Sequence, residues 1–566
     1  MVTTFKDYEY ERPDLTKLDT EVDALLIEFN LAGSAEVQAE IIDRLNTRFN
    51  TVSTMENLAY IRSSIDTNDD FYDRERNFFD EYGPTVQEIT NKYYKAITES
   101  DYRDDLEEKY GSQLFQLASN SLKAFDPKVK ELLQKENKLD SEYSKLLASA
   151  EIEFDGKKLN LSQFGPYSQH TDRAMRRGAA EAVQGFMGKN LGKIDRIYDD
   201  LVKTRDRIAK ELGYRDFVEL GYVRMDRIDY DRHMVENFRK QVAEFVVPLV
   251  TELKERQAAR IGLDSLKSYD ENFDFLTGNA VPEGDTEAIL SNGGKMYREL
   301  SPETDEFYRF MQERELFDVE AKKGKEGGGY CTFIADYASP FIFSNFNGTL
   351  DDVTVLTHEA GHAFQTYMSR GYDVPEYQFP TYESAEIHSM SMEYFTYPWM
   401  ELFFKEDTDK FKFSHMAGDI TFLPYGVAID EFQHIIYEKP ELTPEQRRRE
   451  WQKLEEKYLP HRDYDGIEPL VSGSFWHRQG HVFGAPFYYI DYTLAQICAL
   501  QFWKRANEDF DSAWQDYVNL CRLGGTLPFN ALVEAANLRS PFEDGCLESV
   551  VGEVRDYLNS IDDKSL

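Results

Sequence analysis

Asn347-Gly348-Thr349-Leu350-Asp351-Asp352-Val353-Thr354-Val355-Leu356-Thr357-His358-Glu359-Ala360-Gly361-His362-Ala363 reads as a turn, a helix start and a buried helix carrying H-E-x-x-H. Asn-Gly marks the turn, and Thr349 with Asp352 three residues on has the form of a capping box. The pattern predicts a helix from about Leu350 to about Met368, with Gly371 beyond its end. On that helix His358 and His362 share one face and can address one metal ion. Glu359 projects about 100° further round, within reach of a water on that ion. Those three side chains are the smallest apparatus for zinc-activated hydrolysis of a peptide bond.

The chain has 10 His in 566 residues, so H-E-x-x-H arises by chance in only about 2% of chains of this composition. Val353, Leu356, Ala360 and Ala363 give the segment an apolar body, unlike a solvated helix. Gly361 costs about 1 kcal/mol relative to Ala inside a helix, which predicts a close neighbour there. A catalytic zinc also needs a third protein ligand. Position 368 is Met, so no third His follows, and a later carboxylate is the alternative. A second helical pattern runs from Tyr382 to about Tyr397, between Pro380 and Pro398, and carries Glu383, Glu386 and Glu393. Spacing does not choose among these three. Ile387, Met390, Met392 and Phe395 predict that much of the helix is buried, and a buried carboxylate needs a partner such as a metal.

Asn345 to Thr349, His358 to Ala363 and Ser384-Ala385-Glu386-Ile387 together resemble the oligoendopeptidase F and thimet oligopeptidase family of zinc metallopeptidases. Gly327-Gly328-Gly329-Tyr330-Cys331 and Gly524-Gly525-Thr526-Leu527-Pro528-Phe529 are further similar pieces, and the likeness covers roughly residues 200–545. The resemblance implies a mainly α, multi-helix body with a deep substrate channel. It implies one Zn²⁺ per chain held by His358, His362 and Glu386, with Glu393 orienting a ligand imidazole. It implies a zinc-dependent endopeptidase that cuts short unstructured oligopeptides with a zinc-bound water activated by Glu359. Many members read H-E-x-G-H-A-x-H, whereas this chain has Gln365 at the last position, which is not one of the three ligands.

A downstream cluster holds His477, His481, Tyr488, Tyr489 and Tyr492. Neutral Tyr O–H and His N–H groups can stabilise an oxyanion without competing for the metal. His481-Val482-Phe483-Gly484-Ala485 resembles the family's His-bearing loop, which implies that His481 contacts substrate backbone. The same likeness assigns the oxyanion to one or two of Tyr488, Tyr489 and Tyr492. Pro486 stands where oligoendopeptidase F types carry a His before the Phe-Tyr-Tyr run. His388 and His477 read as non-ligands.

Tyr330–Ile334 and Pro340–Phe343 read as strands of a small β-sheet beside the zinc site, able to bind an extended peptide by backbone pairing. Ala321–Gly329 reads as a mobile loop. Phe115–Leu147 and Met175–Leu212 show helical periodicity. With no Ser/Gly or Pro-rich linker, a helical lobe of residues 1–190 is expected to lie tightly against a catalytic domain of residues 191–566. The net charge of −39 and pI near 4.7 argue against nucleic acid and anionic membranes as partners. Four scattered Cys, no apolar leader core and no spanning run lead to the expectation of a cytoplasmic enzyme. Monomer and homo-oligomer remain open. Two competing readings are a helical metallocarboxypeptidase and a non-catalytic peptide-binding scaffold.

Overall fold

The computed structural model describes residues 2–566, which form a mainly α structure with two small sheets. The motif helix spans Asp351–Ser369 and begins without a side-chain cap. Thr349 does not cap it. Its hydroxyl donates to Asn347 Oδ1 at 2.8 Å, while Asp352 accepts from the backbone N–H groups of Asn347 and Gly348 at 2.9 and 2.8 Å. Neither half of the expected box forms: the Asp352 carboxylate reaches past Thr349 and ties down a turn in which Gly348 takes φ +86°. At the far end, Gln365 is fully buried and donates to Ser369 Oγ at 2.8 Å.

The second helix spans Tyr382–Phe395 and is buried from Glu383 onward. It crosses the motif helix at Gly361, where a Cβ would stand 2.6 Å from both His388 O and Ser389 Cα. This is the close neighbour that a mid-helix glycine implies. Gly361→Ala is expected to force the two helices apart and cost about 1–3 kcal/mol, read as a lowered midpoint in chemical denaturation. The helices Tyr489–Glu508 and Thr408–Glu438 pack on the other side, each with a mostly buried sequence.

Strands β1 (Ile152–Phe154) and β2 (Lys157–Leu159) form a short antiparallel hairpin. β3 (Phe317–Glu320), β4 (Tyr330–Ile334) and β5 (Ser339–Phe346) form the second sheet in the order β3-β5-β4. β5 is central and almost wholly buried, parallel to β3 and antiparallel to β4, with Thr332 opposite Phe341. β4 is therefore an edge strand. The segment before it is pinned rather than loose. The Lys325 ammonium donates to Asp318 Oδ1 at 2.5 Å, Glu326 pairs with Arg76 at 2.6 Å, and Asn345 donates to the carbonyls of Glu326 and Gly328.

The N-terminal helices Leu15–Leu31, Ala35–Ile65 and Asp70–Thr98 share a core of Val22, Phe29, Leu45, Phe79 and Ile89. Val374 and Tyr377, from between the motif helix and the second helix, complete that core. The Tyr377 hydroxyl donates to Tyr110 O at 2.7 Å and accepts from Leu114 N at 2.9 Å. Phe115–Leu147 is two helices, Ser112–Ala124 and Lys130–Ala148, because Asp126-Pro127 interrupts the ladder. Arg173–Glu211 is one helix and runs through residue 190. No helix among the described residues is long and apolar enough to cross a membrane.

Candidate active site

The motif helix presents His358 and His362 one turn apart, with ring centres 5.1 Å from each other. Because Gly361 lets the second helix approach, Glu386 reaches both rings. Its Oε2 lies 3.3 Å from Nε2 of His358 and 3.3 Å from Nε2 of His362. Donor atoms of these three residues all fall within 4.8 Å of one another, a group able to hold a metal ion. Burial works against a charged Glu386, but the two imidazoles outweigh it and hold its carboxyl well below the usual range. Ser389 Oγ and the Tyr488 hydroxyl also donate to it, at 2.9 and 2.5 Å.

The other two carboxylates of the second helix have different partners. Glu383 faces Arg227 at 3.2 Å, and Arg227 also pairs with Asp491 at 2.5 Å, all three fully buried. Glu393 stands behind the triad, where His358 Nδ1 donates to its Oε1 at 2.7 Å. Its Oε2 contacts His415 Nε2 at 2.6 Å, and His415 Nδ1 meets the Tyr397 hydroxyl at 2.7 Å. Asp419, one turn after His415, accepts from Tyr394 at 2.5 Å. No motif marks His415, Asp419, Tyr394 or Tyr397 in the sequence. The i, i+4 spacing of His415 and Asp419 on an apolar helix was the available signal. Loss of the hydrogen-bond partner of a ligand imidazole weakens metal binding about 10–100-fold. Glu393→Gln is expected to show a loss in that range in a chelator competition titration.

Glu359 is buried, and its Oε2 has no hydrogen-bond partner among the described residues. Burial raises its pKa, while His358 and His362 pull the other way without overcoming it. Its Oε1 faces Gly329 just before β4, and a Cβ at Gly329 would stand 3.3 Å away. His388 is buried and makes no side-chain hydrogen bond, and His477 sits 3.1 Å from the Asp195 carboxylate, so neither joins the triad.

The downstream cluster assembles in space. The His481 ring lies 5.4, 5.2 and 5.4 Å from those of Tyr488, Tyr489 and Tyr492. Gln479 Nε2 donates to His481 Nδ1 at 2.8 Å, leaving His481 Nε2 3.0 Å from the Tyr492 hydroxyl. Burial pushes His481 down to about 4, so it is a neutral donor at neutral pH. Burial also raises all three tyrosines well above the usual phenol range. Tyr488, bonded to Glu386, joins the cluster to the triad, whereas the Tyr489 ring packs edge-on to Phe422 and Tyr425.

A cavity of about 1300 Å³ opens beside these groups. Its wall includes Thr354, one turn before His358, together with His481, Tyr488 and Gly327 to Tyr330, and on the N-terminal side Tyr60, Tyr143 and Gln184. A cavity of this size with a mixed polar and apolar wall, lined by His481, Tyr488 and Tyr489, meeting the motif helix at Thr354 and reaching Gly329 beside Glu359, suits hydrolysis of an extended peptide.

Residues 298–551 match peptidase family M3, and residues 5–125 match the peptidase M3 N-terminal domain. Oligopeptidase PepF of Bacillus subtilis (strain 168) is 22% identical over 572 residues, covering 94% of this chain and 82% of that protein. The oligoendopeptidase F homolog of Borreliella burgdorferi is 23% identical over 67% of this chain and 65% of its own length. The solved structure of PZ peptidase A with inhibitor 2 is 54% identical, covers 99% of this chain and 100% of its own, and superposes with a TM-score of 0.98. Oligoendopeptidase-F from Enterococcus faecium, at 15% identity and a TM-score of 0.64 over 97% of this chain and 98% of its own, shares the fold. The chain therefore belongs to peptidase family M3 and is a metallo-endopeptidase of the oligoendopeptidase F type.

Proposed function

We propose that the protein hydrolyses internal bonds of short unstructured oligopeptides with one zinc ion held by His358, His362 and Glu386. The observation that carries this reading is the convergence of two imidazole Nε2 atoms on one Glu386 oxygen, at 3.3 Å each. The buried, unpartnered Oε2 of Glu359 lies on the same helix and supports it. Two imidazoles and one carboxylate are a common donor set for catalytic zinc. Zinc bound there would act as a Lewis acid, polarising the scissile carbonyl and lowering the pKa of a water to about 7.

The protein's own groups carry the proton. Glu359 takes it from the attacking water and returns it to the leaving amine, a role that suits a carboxyl whose pKa burial has raised. His481, Tyr488, Tyr489 and Tyr492 serve as neutral donors to the substrate backbone and the developing oxyanion. Tyr488 has the strongest claim to the oxyanion, because its hydroxyl stands against the triad and can turn its one proton from Glu386 to the substrate. The outer edge of β4, where Asn57 donates to the Phe333 carbonyl at 3.1 Å, supplies its remaining backbone groups to an extended peptide. The N-terminal helices, through Tyr60 and Tyr143, narrow the cavity against folded proteins. We assign the activity to the cytoplasm, in keeping with four cysteines that form no disulfide.

The test is product mapping by mass spectrometry on a peptide acetylated at its N-terminus and amidated at its C-terminus. Internal cuts are the expected result, and an intact peptide alongside cleavage of free termini would overturn the reading.

A further inference from the structure

The cavity wall differs in charge from the rest of the molecule. Against a net charge of −39 for the whole chain, its lining holds six Lys and Arg side chains and five Asp and Glu. Most of these charges are already matched. Arg176 pairs with Asp270 at 2.8 Å, Arg462 with Glu271 at 2.8 Å and Lys325 with Asp318 at 2.5 Å, while Arg260 pairs with Asp563. Among the acids, Glu326 is held by Arg76, Asp274 accepts from Ser414 at 2.7 Å, and Asp419 accepts from Tyr394. Lys254 donates to Gln257 Oε1 at 2.9 Å and sits in the field of Glu271.

Arg478 is different. It is exposed, lines the cavity, and forms no ion pair or hydrogen bond among the described residues. Its guanidinium contacts an aromatic ring. Phe475 and Arg478 lie three apart in the 3₁₀ helix Phe475–Arg478, where such positions eclipse, and the guanidinium carbon stands 5.0 Å from the Phe475 ring centre. The next residue, Gln479, orients His481. A guanidinium resting on an aromatic ring with all its donors free, three residues from His481, has the chemistry to receive a planar anion.

We propose that Arg478 is a specificity-determining residue that takes a carboxylate of the bound peptide, at its C-terminus or on an acidic side chain. The assignment rests on the peptidase reading above. It also gives a strongly acidic protein a way to retain anionic peptides that its overall field repels.

The test uses one internally quenched peptide in three forms: neutral side chains with a free C-terminal carboxylate, the same sequence amidated, and the amidated sequence with one glutamate. The ratio of kcat/KM between forms is taken within each protein, so a general change in activity drops out. The wild type is expected to favour one carboxylate form over the neutral form by about fivefold. The form favoured identifies the source of the carboxylate. In Arg478→Gln, an exposed change that removes no internal bond, the ratio is expected to fall to near one. Equal kcat/KM for all three forms in the wild type, or an unchanged ratio in Arg478→Gln, would overturn the assignment while leaving the peptidase reading intact. Failure to cut any form would overturn both.

Discussion

Glu359→Gln is expected to lower kcat/KM by about 10²–10⁴-fold while the protein still binds one equivalent of zinc. Gln keeps the size of the side chain and its place on the motif helix, but it cannot accept a proton from water. The donors His358, His362 and Glu386 are untouched, so metal content separates lost chemistry from lost metal. The buried Oε2 has no protein partner to lose, so the substitution should not unfold the site. Parallel assays of turnover and bound zinc check the prediction, and near-wild-type turnover would remove Glu359 from its role as base.

Glu386→Ala has a different signature, in which activity and metal fall together. The substitution removes one of three donors and leaves the His358 and His362 rings without the carboxylate oxygen between them. It also deprives Tyr488 and Ser389 of their acceptor. Because losing the partner of a ligand already costs about 10–100-fold in metal affinity, losing a ligand should cost more than about 100-fold. Competition with a chelator of known affinity measures the loss. Tight zinc binding in Glu386→Ala would move the third ligand elsewhere, with Glu393 the next carboxylate within reach of His358.

Much of this was legible locally. The motif helix and the second helix announced themselves through apolar periodicity, turn residues and proline, all of which act within a few residues. Gly361 announced a close contact because its cost inside a helix demands a reason. The choice among Glu383, Glu386 and Glu393 was not local. All three are buried on one helix, and what separates them is Arg227 and Asp491 beside Glu383 and His415 beside Glu393, each brought from distant sequence. β3 was missed because it is four residues long and its parallel pairing with β5 leaves no hairpin signal. The break at Asp126-Pro127 was written in the sequence and outweighed by the periodicity on either side of it. Thr349 fitted a cap by composition, but its hydroxyl found Asn347 first. The flexible look of Ala321–Gly329 came from its glycines, while its anchors, Arg76 and Asn345, lie outside the segment.

The most direct measurement is zinc reconstitution. Protein stripped by a chelator and dialysed free of it is titrated with zinc while internal cleavage of a doubly blocked peptide is followed. The rate should rise from near zero in proportion to added zinc and level off at one equivalent per chain. Full cleavage by the stripped protein, or a rate that zinc does not restore, would contradict a zinc centre built from His358, His362 and Glu386.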